Sequence, residues 1–447
     1  MFFLRPVLAS ALVPLLAIGC SQDSISNQSP DGKKQMSSAI IADSQEEEIE
    51  YPALDYPSRG PLTEVEQSAL KVFADQEGGA SQTYNFADLP NELYFSVHLS
   101  ELSGDELTPL SKLTRLTDLY LGSKENTDSA LAHLAPLIFL NDLTIHQHYG
   151  GGGSGVIEIS DKGLTHLADM KTLLRLTIRN ASITGPGIRH IAGSAKLVSV
   201  DLSHNMITDA GLPHLGTLPH LQILKLKENQ ITGSQLAKLS QAKRLMELDL
   251  SKNQLDANHL AALEKFGRLH TLNLGQTGLN GRGLEVLASI PKLKNLDLLA
   301  QRATASQYGA LANARRLQVL DLESSDINDA GLRALANSKT LKTLSVAHTG
   351  VTDAGIKHLV KVKSLRHLDL GSTAVTNRTV KTLQSLPNLK TLELTNTQVD
   401  DAAIPDLIKL KSLQLLILHG LETKITEEGA KKLRQSRPRI TIRATRF

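Results

Sequence analysis

Eleven residues of this sequence stand one every 24: Leu176, Val200, Leu224, Leu248, Leu272, Leu296, Leu320, Leu344, Leu368, Leu392 and Leu416, with Ile440 on the next beat. Each is the middle of an apolar frame L-x-x-L-x-L, as in Leu317-Gln318-Val319-Leu320-Asp321-Leu322. A strict period of this length excludes a fold built round one central core. It requires a stack of like units, each burying its apolar face against its neighbours. The rule that would divide 447 residues into about three globular domains therefore does not apply. Such a stack presents a surface for holding something, and the period does not say what.

Counted from the middle residue as position 0, the unit reads the same way each time. Position +7 is aliphatic: Ile183, Ile207, Ile231, Leu255, Leu279, Ile327, Val351, Val375 and Val399. Position +8 is Thr184, Thr208, Thr232, Asp256, Asn280, Thr304, Asn328, Thr352, Thr376 or Asp400. All are types whose side-chain oxygen caps a helix N-terminus, so a helical turn or two is expected to start there. Its inward residues lie three apart, as in Leu212/Leu215, Leu332/Leu335 and Ile356/Leu359. Gly187, Gly211, Gly283, Gly331 and Gly355 precede the first of them, where a missing side chain lets the helix approach the next coil. Each unit is thus strand, turn and short helix, with strands on a concave parallel sheet and helices on a convex back.

With its Val/Ile-Thr-Asp-Ala-Gly-Leu/Ile core (Ile207 to Leu212, Val351 to Ile356), the unit resembles the leucine-rich repeat family over about residues 95–447. Similar units occur in bacterial envelope repeat proteins and in repeats attached to F-box adaptors. The resemblance implies an α/β solenoid of about thirteen repeats, counting earlier frames at Leu119 and Leu143, with a first strand at Val97 to Leu99. It also implies that Asn205, Asn229 and Asn253 bond to backbone inside the coil, a place taken later by Thr277, Ser325, Thr349, Thr373 and Thr397.

The ends read differently. Arg5 followed by apolar Pro6 to Ile18 is an export signal, too short to span a bilayer comfortably. Leu16-Ala17-Ile18-Gly19-Cys20 resembles the lipobox of bacterial lipoproteins, with Ala17 where Leu is more usual. The resemblance implies a signal peptide over 1–19 and lipidation of Cys20, which is the one cysteine of the chain. An ordinary signal peptide ending by chance at a cysteine is the alternative. Residues 20–60 are polar and too poor in apolar side chains to offset ordering entropy, so a disordered acidic, Ser-rich tether is expected. Residues 43–66 hold eight acids and one base, Arg59. Thr63-Glu64-Val65-Glu66 is a capping-box pattern opening an amphipathic helix to about Gln76, and residues 61–95 are read as an N-terminal cap. Residues 96–447 form the solenoid, closed by a final strand in Arg439 to Arg443 among basic residues that guard its edge.

Candidate binding residues are sought where the pattern breaks. The spacing from Leu143 to Leu176 is 33, and the excess lies in a glycine-rich loop at 146–155. Insertions of this kind often reach the binding face. Ten of the fifteen aromatics lie between Tyr51 and Tyr149, so a tight partner would be gripped round Tyr120, His146, His148 and Tyr149. The bland alternatives are a neutral insertion and aromatics that merely fill the cap. A carboxylate column at position +1, Asp201, Asp249, Asp297, Asp321, Asp369 and Glu393, lines the concave face. It suits a basic peptide or divalent ions, or it is ordinary L-D-L filler. The pair His146/His148 is too small a ligand set for a metal, and no metal or cofactor is expected.

No G-x-S-x-G, H-E-x-x-H, Walker or dinucleotide glycine motif is present. The acidic concave face argues against nucleic acid, which wants a basic stripe. The expected protein is a non-enzymatic envelope lipoprotein that holds a protein or glycan ligand and touches the membrane only through its lipid. A passive structural role is the alternative. An F-box-type adaptor is suggested by Leu89-Pro90-Asn91-Glu92-Leu93, but the repeats begin at once and leave that domain no room.

Overall fold

In a computed structural model of the protein, the residues described are 49–52, 63–76, 95–99, 103–123, 125–146, 157–279, 281, 283–419 and 424–444. They form one parallel sheet of fifteen strands in sequence order, from Phe95–Leu99 to Thr441–Ala444. At about 4.8 Å between neighbours, the sheet runs for roughly 65 Å. The register pairs like positions of successive coils: Leu143 with Leu176, Leu296 with Leu320, Leu392 with Leu416. Leucines at −3, 0 and +2 fill a continuous interior column, nearly all wholly buried. The last beat falls on Ile442, not Ile440: Leu416 pairs with Ile442. The final coil carries two extra residues between Leu418 and Ile425, so simple counting slips there.

Position +8 behaves largely as its chemistry demands. The side chains of Asp256, Thr304, Asn328, Thr352, Thr376 and Asp400 accept from helix N-terminal amides. Thr184, Thr208 and Thr232 make no such bond, and Asn280 lies outside the described residues. Gly185-Pro186 and Gly233-Ser234 displace the helix start in two of those coils. The hydroxyls of Thr184 and Thr232 instead donate to carboxylates of the preceding coil, Asp161 and Asp209. The same tie recurs elsewhere: the Thr352 amide and hydroxyl reach Asp329 (2.8 and 2.7 Å), those of Thr376 reach Asp353 (2.9 and 2.7 Å), and those of Thr426 reach Asp401 (2.8 and 2.6 Å). This explains the glycine at two of the recurrent positions, Gly187 and Gly355. A Cβ on Gly355 would lie 2.5 Å from Asp329 Oδ1, and one on Gly187 would lie 2.2 Å from Asp161 Oδ1. The space is taken by the coil before, not the coil after.

Asn253 shows what the interior asparagines do. Its amide donates to Leu226 O of the preceding coil (2.8 Å) and Leu250 O of its own (3.0 Å), while its oxygen accepts from Ile231 N (2.9 Å). The hydroxyls of Thr277, Thr349, Thr373 and Thr397 donate to the carbonyl three residues back in their own coil, being too short to donate to both coils as the asparagine amide does. At position +4 ten successive coils, from Asn180 to Asn396, place a non-glycine residue in the left-handed region, with φ between +52° and +60°. Tyr308, which replaces a core leucine, is buried, and its hydroxyl reaches the Gln301 carbonyl (3.0 Å) and Asp326 Oδ1 (2.8 Å). Strand register runs through that coil without a break.

Both ends are clamped. The helix Glu64–Gln76 opens on the expected capping box: Thr63 N donates to Glu66 Oε2 (2.8 Å) and Glu66 N to Thr63 Oγ1 (3.2 Å). Arg115 then grips the same carboxylate at 2.8 and 3.0 Å, both side chains being almost fully buried. Burial alone would raise the Glu66 carboxyl, but Arg115 and Thr63 outweigh it and hold it below the usual range. At the other end Arg437 donates to the carbonyls of Ile408, Leu410, Lys411 and Leu413. The signal segment, Cys20, most of the tether and residues 77–94 lie outside the described residues. Within the expected tether, Glu50 is hydrogen-bonded to Gln222 of the solenoid.

Candidate functional site: the concave sheet

Positions −1 and +1 of each strand face away from the leucine column. Near the N-terminal end they bring Asp118, Asp142 and Arg175 together. Arg175 Nε bonds Asp142 Oδ2 at 2.6 Å, its Nη2 lies 3.9 Å from Asp118 Oδ1, and its guanidinium stands 5.9 Å from the Tyr51 ring centroid. Beside them Tyr120 and His146 meet edge to face, with ring centroids 5.1 Å apart at 83°. Burial pushes the Tyr120 hydroxyl up from its ordinary value. Two of the four aromatic-end candidates are therefore in contact. The other two, His148 and Tyr149, lie outside the described residues. The described chain leaves the coil at His146 and resumes at Ile157, whose amide donates to Asn180 O (2.7 Å). His146 thus stands one residue before the place where later coils put their left-handed residue, beside Tyr120.

The carboxylate column divides into two regions. Asp201 is bonded by Arg179, Nε to Oδ2 at 2.9 Å. Burial would raise its carboxyl, but Arg179 and Ser203 hold it below the usual range. Lys225 reaches Glu247 at 3.3 Å in the next coil. From Asp297 to Glu393 the face carries no lysine or arginine at positions −1, +1 or +3, only His367. Here burial raises Asp297 to about 6, with Asp249 and Glu323 adding repulsion. Burial raises Asp369 to about 7, helped by Glu393 and Glu323. Asp321 rises furthest, to about 8, through burial and then Asp297, Glu323 and Asp369.

Each column residue also has an architectural task. Asp249, Asp297, Asp321 and Asp369 accept from the backbone amide two residues on, at 2.8–2.9 Å, and so close the turn that leaves the strand. Asn273 makes the same bond to Gly275 N at 2.9 Å. A neutral acceptor oxygen therefore serves this turn as a carboxylate does. Glu393, one methylene longer, bonds the Thr395 hydroxyl instead. Among the described residues no three His, Cys, Asp or Glu side chains converge to hold a metal ion, and no helix is long and apolar enough to cross a membrane.

Arg175 and Arg179 complete the N-terminal half of this face and were not singled out from the sequence. The signal was present: each is a basic residue at a face position, one coil from an aspartate at a face position.

Residues 195–255 match a protein-family model described as a leucine-rich repeat, and residues 315–336 and 337–360 match a second of the same description. No curated protein matches the sequence. Among solved structures, an internalin from Listeria monocytogenes is similar at a TM-score of 0.57 and 21% identity, over 80% of this chain and 97% of its own. A leucine-rich repeat protein from Leptospira interrogans aligns at 0.43 and 19%, over 77% and 93%. A plant peptide hormone receptor, solved in complex, aligns at 0.42 and 14%, over 79% and 66%. The internalin likeness is one of fold.

Proposed function

We propose that this leucine-rich repeat protein is a binding scaffold without enzymatic activity, held at a bacterial envelope by a lipid on Cys20 and offering its concave sheet to a protein or glycan. One observation carries the reading. The strand-exit turn is satisfied by a neutral amide at Asn273, yet Asp297, Asp321 and Asp369 supply carboxylates there, crowded together with Glu323 and Glu393. Charge that the fold does not require, placed where it repels itself, is relieved by a cationic partner surface. The sign of that charge disfavours nucleic acid.

The test uses the full chain and its D297N/D321N/D369N/E393Q variant, each immobilised and exposed to native envelope extract and to a glycan array. A ligand retained by the wild type and released by the variant is the expected result. Retention of nothing specific on either surface would overturn the scaffold reading in favour of a passive structural role. Retention equal on both would move the site to the loop and the Tyr120–His146 end. The anchor is tested separately: Cys20→Ala is expected to move the protein from the membrane pellet to the soluble fraction.

A further inference from the structure

Residues 49–52 lie against the solenoid far from their neighbours in sequence. The Glu50 amide donates to Gln222 Oε1 at 3.0 Å, and the Gln222 amide donates back to the Glu50 carbonyl. One peptide unit is thus read on both its polar groups by a side chain only 2% exposed. The Glu50 carboxylate straddles two coils: Oε2 lies 3.3 Å from Arg244 Nη1, and Oε1 lies 3.2 Å from Arg268 Nη2. Arg244 and Arg268 hold the same place in successive units, the last turn residue before the strand, so they stand about one strand spacing apart. Tyr51 continues onto the Arg175 guanidinium.

The two arginines belong to a longer series. At that turn position six consecutive coils carry Lys196, His220, Arg244, Arg268, Lys292 and Arg316, after which the position reads Thr340, Ser364 and Asn388. The basic run includes the two coils whose arginines hold Glu50. In the sequence Glu46, Glu47 and Glu48 precede Glu50 with only Ile49 between them. Charge complementarity, a buried side-chain amide spent on a backbone unit, and a carboxylate shared between two guanidiniums are the elements by which a protein recognises an extended acidic peptide.

We propose that the edge formed by Arg175, Gln222, Arg244 and Arg268 is a recognition site for extended acidic peptides with a Glu-aromatic pair, and that residues 49–52 occupy it in cis as a displaceable strap. Because the strap is joined to the cap helix by residues 53–62, its effective concentration at the site is on the order of millimolar. A partner segment of the same chemistry must outcompete it, so the strap sets a threshold for binding. The site lies on the strand-entry edge and is independent of the carboxylate column, whose ligand is tested by different variants.

The experiment measures fluorescence anisotropy of a labelled peptide of residues 45–56 with three full-length proteins: wild type, E50A/Y51A, and E50A/Y51A/R244A/R268A. The strap-disabled protein is expected to bind the peptide about tenfold or more tightly than the wild type, with affinity falling as salt rises. Removing the two arginines is expected to abolish the gain. Equal binding to wild type and E50A/Y51A overturns the strap, and no binding to E50A/Y51A overturns the site. Hydrogen exchange gives a second measure on the same protein. The Glu50 amide is expected to be protected in the wild type and to lose protection in Gln222→Ala, whereas fast exchange in both refutes the contact.

Discussion

At the scale of single residues, the +1 column shows how one atom serves two ends. At Asp249, Asp297, Asp321 and Asp369 an acceptor oxygen closes the turn, and Asn273 shows that a neutral one suffices. The charge is additional, and it has a thermodynamic signature. A carboxyl whose pKa rises on folding holds more protons in the folded than in the unfolded state between the two values, so stability falls as pH climbs through that interval. For this column the interval starts from the ordinary 3.8 and extends to about 6 for Asp297, 7 for Asp369 and 8 for Asp321. Glu66 and Asp201, held low by their arginines, act in the opposite sense but at more acid pH. His204, lowered by burial, gains stability for the fold as pH rises through its titration. The informative quantity is therefore the difference between wild type and D297N/D321N/D369N. From about pH 5 to about pH 8 the urea midpoint of the wild type is expected to decline relative to the variant. Parallel profiles would show that the repulsion is absent. The column itself was visible as a row of aspartates. Its division into a paired and an unpaired half was not, because that depends on Arg179, which the L-x-x-L-x-L frame leaves unmarked.

At the scale of the repeat unit, the Thr-Asp-x-Gly run is a joint between coils. Threonine caps its own helix and donates to the aspartate of the coil before, and glycine leaves room for that aspartate. Gly355→Ala would set a methyl 2.5 Å from Asp329 Oδ1 and 3.0 Å from its Cα. Overpacking of this kind costs about 1–3 kcal/mol, to be read from denaturant midpoints. Gly350→Ala, whose Cβ meets nothing closer than 3.8 Å, is the control expected to cost little. If the two variants melt alike, the joint is looser than its geometry implies. The unit was readable from the sequence because strand and helix periods differ and the cap residues have a chemical preference. The left-handed corner at +4 was not, because beside Asn180, His204, His348 and Asn396, whose types favour it, the position also takes Glu228, Lys252, Gln276, Ala300, Ser324 and Ser372, and the conformation there is imposed by the closing of the coil.

At the scale of the whole molecule, a stack of units has no centre, so its ends decide where unfolding begins. Arg115→Ala leaves the Glu66 carboxylate buried without its cation, a loss of about 3–5 kcal/mol when one member of a buried pair is removed. Hydrogen exchange is expected to accelerate over residues 64–76 and 104–121 while the coils beyond residue 380 keep their protection. Uniform acceleration would show that the solenoid melts as one body. The capping box was legible as Thr63 and Glu66, but its partner 49 residues away was not, since no local pattern links them. The same limit hid the docked segment at Glu50, whose polar composition speaks only for disorder. One consequence reaches beyond the finished fold. Four of the joining side chains look backwards: Asn253 to Leu226 and Ile231, Thr352 to Asp329, Thr426 to Asp401, Arg437 to Leu410. A nascent chain delivers its N-terminus first, so each of these four side chains finds its partner already standing. The molecule can be laid down like courses of brick, each set on the one before while the next is still being made.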